Sequence, residues 1–269
     1  MPYRRLPNTD QARIRALRSA VEQGEMAGFM CLPYSYGLQN EASRLLLLME
    51  KAFQEYEIAL ERQVSLGREY ANHQKTARLY VSHFIQVLNM CIARGEMKPE
   101  VRAFYGLPDD SMAVPDLSTE QALKIWGKNI IKGEQARIQH GGTPIYNPSI
   151  AKVTVYYEIF TDAQTAQKIY QNNTRRAALS LDHMHEQVDA VILDIWNQVE
   201  NYYKDLEPDQ RREACRKYGL CYYYRKGEAR PKDEPDSDAD EGADVGTGSA
   251  VDAEAGSSAA QTGSVAGAL

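Results

Sequence analysis

From Asn40 to Arg94 the chain contains no proline and a single glycine, Gly67. Few folds tolerate that. Sheets need turn residues every few positions, so a run of this length without them points to helix. Apolar or neutral positions at Leu45, Leu48, Ala52, Tyr56, Ala59, Gln63, Leu66, Tyr70, His73, Ala77, Val81, Phe84, Leu88 and Cys91 follow a three-four spacing that forms one seam. The spacing predicts one long helix, or two stacked ones broken near "SLGREYANHQ", closed by Gly95 and Pro99.

A second long segment is expected from Asn147, with Pro148 at its first position, to about Leu206. Its stripe runs through Val153, Tyr156, Phe160, Ala163, Tyr170, Ala177, Leu181, Val188, Ile192, Ile195, Val199 and Tyr202. Each long segment is preceded by a shorter amphipathic one. "NTDQARIRALRSAVEQGE" has a cap at Asn8 or Thr9, an acid in its first turn, and an expected end near Gly24. "STEQALKIWGKNIIKGE" has Ser118 as cap with Gln121 completing a capping box, and "HGGTP" stops it. Residues 25 to 38 are expected to be an irregular connection.

The two halves follow one plan. Thr9 corresponds to Thr119, Gly24 to Gly133, His73 to His185, Phe84 to Trp196, Asn89 to Asn201, and Tyr105-Gly106-Leu107 to Tyr218-Gly219-Leu220, with offsets between 109 and 113. A repeated order of landmarks is the mark of an internal duplication, with repeats at about 9 to 107 and 119 to 220. One copy cannot cover its own apolar stripe, whereas two can lay their stripes together. The expected fold is therefore all-α: an antiparallel helical bundle of two long helices and several short ones, with pseudo-twofold symmetry, in a single domain over 1 to 226. "PEVRAFYGL" and "PDQRREACRKYGL" are read as short closing helices, "PDDSMAVPDL" as a linker, and "CYYYRKGE" as extended.

Charge separates body from tail. The net charge is −6 over 269 residues, but residues 231 to 269 carry one Lys against nine acids, which leaves the rest near +2. A near-neutral body does not announce a polyanion partner. The tail is rich in Asp, Glu, Ala, Gly and Ser, and residues 227 to 269 are expected to be disordered. Cys31, Cys91, Cys215 and Cys221 lack the paired spacings of a zinc site, so reduced thiols are expected. "MPYRRLPNTD" is followed by no signal-peptide core, and "LLLLM" is too short to span a bilayer, so no membrane association and a cytoplasmic location are expected.

The stretches "MPYRRLPNTD", "LYVSHFIQVLNM", "IIKGEQARI", "NPSIAKV" and "IWNQVE" resemble an uncharacterised helical family of hypothetical bacterial proteins encountered in Bacteroidales. The likeness covers roughly residues 1 to 226. No activity is attached to that family, so the resemblance implies no site residue.

Little in the sequence speaks for catalysis. A di-iron bundle takes Glu-x-x-His on two helices, but Asp182 precedes His185 by three and Glu69 precedes His73 by four, so the pattern is incomplete and no metal or cofactor is expected. His183 and His185 point to different helix faces. No nucleophile elbow and no phosphate loop occurs, "HGGTP" reads as a helix stop rather than an anion nest, and Cys215 and Cys221 lack an activating setting. The candidate partner-binding residues are Arg4, Arg5, Tyr222, Tyr223, Tyr224, Arg225 and Lys226, where rings and cations together suit single-stranded nucleic acid; Arg13, Arg15 and Arg18 would extend that surface. The leading expectation is a non-enzymatic helical interaction or scaffold protein that binds a protein partner or itself. Association with nucleic acid is the alternative.

Overall fold

The computed structural model describes residues 3 to 223, the Phe29 side chain excepted. In chain order the elements are β1 (Tyr3–Arg4), α1 (Asp10–Cys31), α2 (Tyr36–Ala93), a 3-10 helix (Pro99–Tyr105), α3 (Glu120–Gln139), α4 (Ile150–Tyr202), α5 (Pro208–Arg216) and β2 (Tyr222–Tyr223). The fold is all-α, with two long helices packed closely on each other. At 1.5 Å per residue, α2 is about 87 Å long and α4 about 80 Å.

Four side-chain caps fix the helix starts. The hydroxyls of Thr9, Ser35, Thr119 and Ser149 accept from the amides of Ala12, Leu38, Ala122 and Lys152, each satisfying a donor that the first turn leaves unpaired. Two of these differ from the sequence reading. The cap of α3 is Thr119, because Ser118 is turned to Asp116, whose carboxylate accepts from its amide and hydroxyl at 2.8 Å each. The cap of α4 is Ser149 rather than Asn147, since Pro148 precedes the helix instead of opening it.

The long helix α2 is continuous. Gly67 does not break it, since one glycine inside a long helix costs only about 1 kcal/mol; the Gln167 carboxamide nitrogen lies 3.4 Å from where a Cβ would stand, an ordinary contact. Gly24 does not end α1 either. A Cβ there would come within 2.5 Å of the Tyr34 hydroxyl, so this glycine allows close approach inside the helix, which runs on to Cys31 through a kink at Gly28 (φ 67°). Gly133 does the same inside α3, where a Cβ would meet the Phe104 carbonyl oxygen at 2.6 Å. Tyr-Gly-Leu stands at the end of each short closing helix, with Tyr105 the last residue of the 3-10 helix and Tyr218 just past α5. Gly106 and Gly219 adopt φ of 69° and 83°, and their flanking Tyr and Leu side chains are buried.

The helix order long-after-short thus recurs in the two halves, but the apolar residues form two cores rather than one. The first joins Leu17 and Val21 of α1, Leu45 and Met49 from the start of α2, Val188, Ile192, Ile195, Trp196 and Val199 from the end of α4, and Tyr218 and Leu220. The second joins Leu123 and Ile130 of α3, Val81, Phe84, Ile85 and Leu88 from the end of α2, Val153 and Phe160 from the start of α4, and Tyr105 and Leu107. Each core therefore draws on both halves of the chain. Phe84 and Trp196 are buried as the seam spacing requires, one in each core.

Between the cores lies a waist of two helices. From Met49 to Ala77 no α2 residue between those two is fully buried, and from Phe160 to Leu181 α4 buries only Gln164 and Thr174. Two helices with no third element can cover only one narrow strip of each other. Three contacts fix the antiparallel pairing: Gln198 accepts from the Ser35 amide at 2.9 Å, Thr174 donates to the Ala59 carbonyl at 3.2 Å, and the rings of Tyr80 and Tyr156 stack at 4.3 Å. β1 and β2 pair antiparallel beside the first core, which agrees with the extended reading of the Tyr-rich segment.

Candidate interaction surfaces

Of the aromatic and basic residues singled out in the sequence, Arg4, Tyr222 and Tyr223 lie on the β1–β2 pair. Tyr3 faces Tyr223 in register, with ring centroids 6.1 Å apart, and Arg4 faces Tyr222. Both polar groups of that second pair turn to one carboxylate: Arg4 donates to Glu200 Oε2 at 3.0 Å and to Asn197 Oδ1 at 2.7 Å, and the Tyr222 hydroxyl donates to Glu200 Oε1 at 2.9 Å. Burial and this bond to Glu200 push the Tyr222 phenol above its ordinary range. Tyr222 packs against the first core. Arg5 is exposed. Tyr224, Arg225 and Lys226 lie outside the described residues, as does the acidic tail.

Two arginines of α1 pair with carboxylates of the long helices. Arg13 grips Asp189 with two bonds, Nε at 2.8 Å and Nη2 at 3.0 Å, and Arg18 pairs with Glu50 at 2.7 Å. His185 joins the same seam, its Nε2 2.5 Å from Asp10 Oδ1 and its Nδ1 3.2 Å from Asp182. The start of α1 is thereby tied to the end of α4 across more than 170 residues of sequence. His73 is half-buried on α2. Among the described residues no group of three or more His, Cys, Asp or Glu side chains is placed to hold a metal ion, and no helix is long and apolar enough to cross a membrane. None of the four cysteines is in a disulfide, and burial pushes the Cys215 thiol upward.

Two buried polar clusters escaped the sequence reading. In the second lobe Glu134, Arg137 and Tyr105 are almost wholly buried. Glu134 accepts from Arg137 Nη2 at 2.8 Å, from Arg137 Nε at 2.9 Å, from the Ile145 amide at 3.1 Å, and from the Tyr105 hydroxyl, while Arg137 also donates to the Thr143 carbonyl at 2.7 Å. The cluster ties the last turns of α3 to the 3-10 helix and to the loop before α4. Burial first, and the Glu134 carboxylate second, raise the Tyr105 phenol; the bond to Glu134 holds the Arg137 guanidinium above its usual value. Arg102, the second cluster's centre, is fully buried beside the linker that joins the halves.

The outer surface of α2 carries a different signal. Tyr36, Leu47, Ile58, Leu79 and Met90 are each at least half exposed. The first three are spaced by eleven residues, as are the last two, and twenty-one separate Ile58 from Leu79. Eleven residues are close to three helical turns and twenty-one to six, so the five lie along one line on the face turned away from α4. No protein-family model matches the chain, and comparison with curated proteins and with solved structures returns no match.

Proposed function

We propose that this chain is a non-enzymatic helical interaction protein, a spacer that holds two lobes apart and presents the outer face of α2 to a protein partner or to a second copy. The exposed apolar side chains from Tyr36 to Met90 support this reading as separate contact points, three or more turns apart, along one face of a helix about 87 Å long. Polar residues between them keep the face soluble until it is engaged. The alternative, a nucleic-acid surface on the β1–β2 pair, has less support, since Arg4 and Tyr222 direct their polar atoms to Glu200.

Affinity purification from the native cell, with and without nuclease and over a range of salt, separates the two. The proposal expects captured protein that survives nuclease and high salt and is lost in a Leu47→Glu, Ile58→Glu, Leu79→Glu variant whose helical signal is unchanged. Capture that vanishes on nuclease treatment or falls steeply with salt would overturn it.

A further inference from the structure

The described residues bury three arginines, Arg13, Arg102 and Arg137. Two of them are paired with a carboxylate through two bonds. Arg102 is not. Its Nε donates to the Pro108 carbonyl at 2.6 Å, and its Nη1 to Asn89 Oδ1 and, at 3.8 Å, to the Met112 thioether. Its Nη2 is buried and has no hydrogen-bond partner. The charge is thus met by one carbonyl, one carboxamide and a weak sulfur acceptor. Burial draws the Arg102 guanidinium below its usual value, with Asp109 and Asp110 opposing that effect from the same linker.

The edge that carries the unpartnered Nη2 has a definite shape. Nη1 and Nη2 form the end of the guanidinium fork, the edge that a carboxylate meets with two parallel bonds. Met112 covers it. That side chain is 46% exposed, and it sits on a linker without regular structure, held there by the Asn89 carboxamide donating to the Met112 carbonyl at 2.8 Å. A thioether gives up little when displaced, whereas a buried guanidinium gains much from an oxyanion.

We infer that the Nη1–Nη2 edge of Arg102 is a binding site for a small oxyanion of carboxylate geometry, entered by displacement of the Met112 side chain from the linker between the halves. An acidic side chain of a partner and a free carboxylate share this chemistry. The linker's own Asp109 and Asp110 are the intramolecular competitors.

The test uses the full chain with acetate and formate as probes, against chloride at equal ionic strength, read as the melting temperature. A saturable rise of about 3–6 °C at ten times the half-saturating concentration is expected. It should disappear in Arg102→Met and in Arg102→Lys, which keeps the charge without the fork, and persist or grow in the Asp109→Asn, Asp110→Asn variant. If neither Arg102 variant folds, the wild-type comparison of carboxylates with chloride stands alone. No carboxylate-specific rise in the wild type, or an equal rise in a folded Arg102 variant, would overturn the site. A rise that appears only after Asp109 and Asp110 are neutralised would overturn it too, by showing that the linker already fills the fork.

Discussion

Replacing Glu134 by Gln keeps the size of the side chain and removes its charge. The carboxylate accepts four hydrogen bonds, from Tyr105, twice from Arg137, and from the Ile145 amide, and its burial is complete. The amide of Gln has one acceptor oxygen, so its NH2 must face donors on the other side, and Arg137 becomes a buried cation without a counter-charge. Removing one partner of such a pair costs about 3–5 kcal/mol. Glu25 stands in the matching Gly-Glu dipeptide of the first half but is exposed, so Glu25→Gln should stay within about 0.5 kcal/mol. Urea unfolding of both variants near neutral pH measures the difference. Trp126 packs against the second core and Trp196 lies in the first, so fluorescence of chains keeping only one of them also reports which lobe loosens. A cost below about 1 kcal/mol for Glu134→Gln, or equal costs for the two substitutions, would refute the reasoning.

Phe84→Ala and Trp196→Ala each remove a fully buried ring and should cost about 3–5 kcal/mol by denaturant unfolding; a cost under about 1 kcal/mol at either would place that ring at the surface. Burial raises the phenols of Tyr34, Tyr70, Tyr105, Tyr218 and Tyr222 above the ordinary value of 10.0. The unfolded chain therefore releases these protons first, so the stabilisation is complete below that value and is lost as pH rises past it towards the folded values. Unfolding free energy should fall from about pH 9 to about pH 11, with native tyrosinate absorbance lagging that of the unfolded chain. Gly133→Ala should destabilise strongly, since its Cβ would meet the Phe104 carbonyl oxygen at 2.6 Å, whereas Gly141→Ala meets no atom and is opposed only by its φ of 86°; thermal melts of the two variants should differ accordingly.

The long helices were legible because their evidence is local and repeated: a run without proline and a three-four apolar seam. What sequence could not supply was the partner of each element. Gly24 reads as a helix stop until Tyr34 and Gln39 are seen packed against it. Gly-Glu stands at the matching landmark of both halves, at 24–25 and 133–134, yet of these two acids only Glu134 is buried, because Arg137 and Tyr105 meet it there while Glu25 faces solvent. A two-residue strand such as β1 has no periodicity to detect, so the use of Arg4 on Glu200 rests on a contact across 196 residues. Arg102 looked like any helix-surface arginine in "PEVRAFYGL"; its burial follows from the linker folding over it, which no spacing encodes.

A continuous α2 that separates two lobes is the claim on which the rest depends. Leu47 and Leu79 are exposed on its outer face, one near each core, and 32 residues apart. Spin labels at Leu47→Cys and Leu79→Cys, with exposed Cys31 and Cys221 replaced by Ser, report their distance directly by pulsed electron resonance. An unbroken helix puts the two backbone positions about 48 Å apart with a single narrow distribution. A broad distribution centred below about 35 Å would mean that the helix breaks or folds back near Gly67, and would contradict the two-lobed spacer.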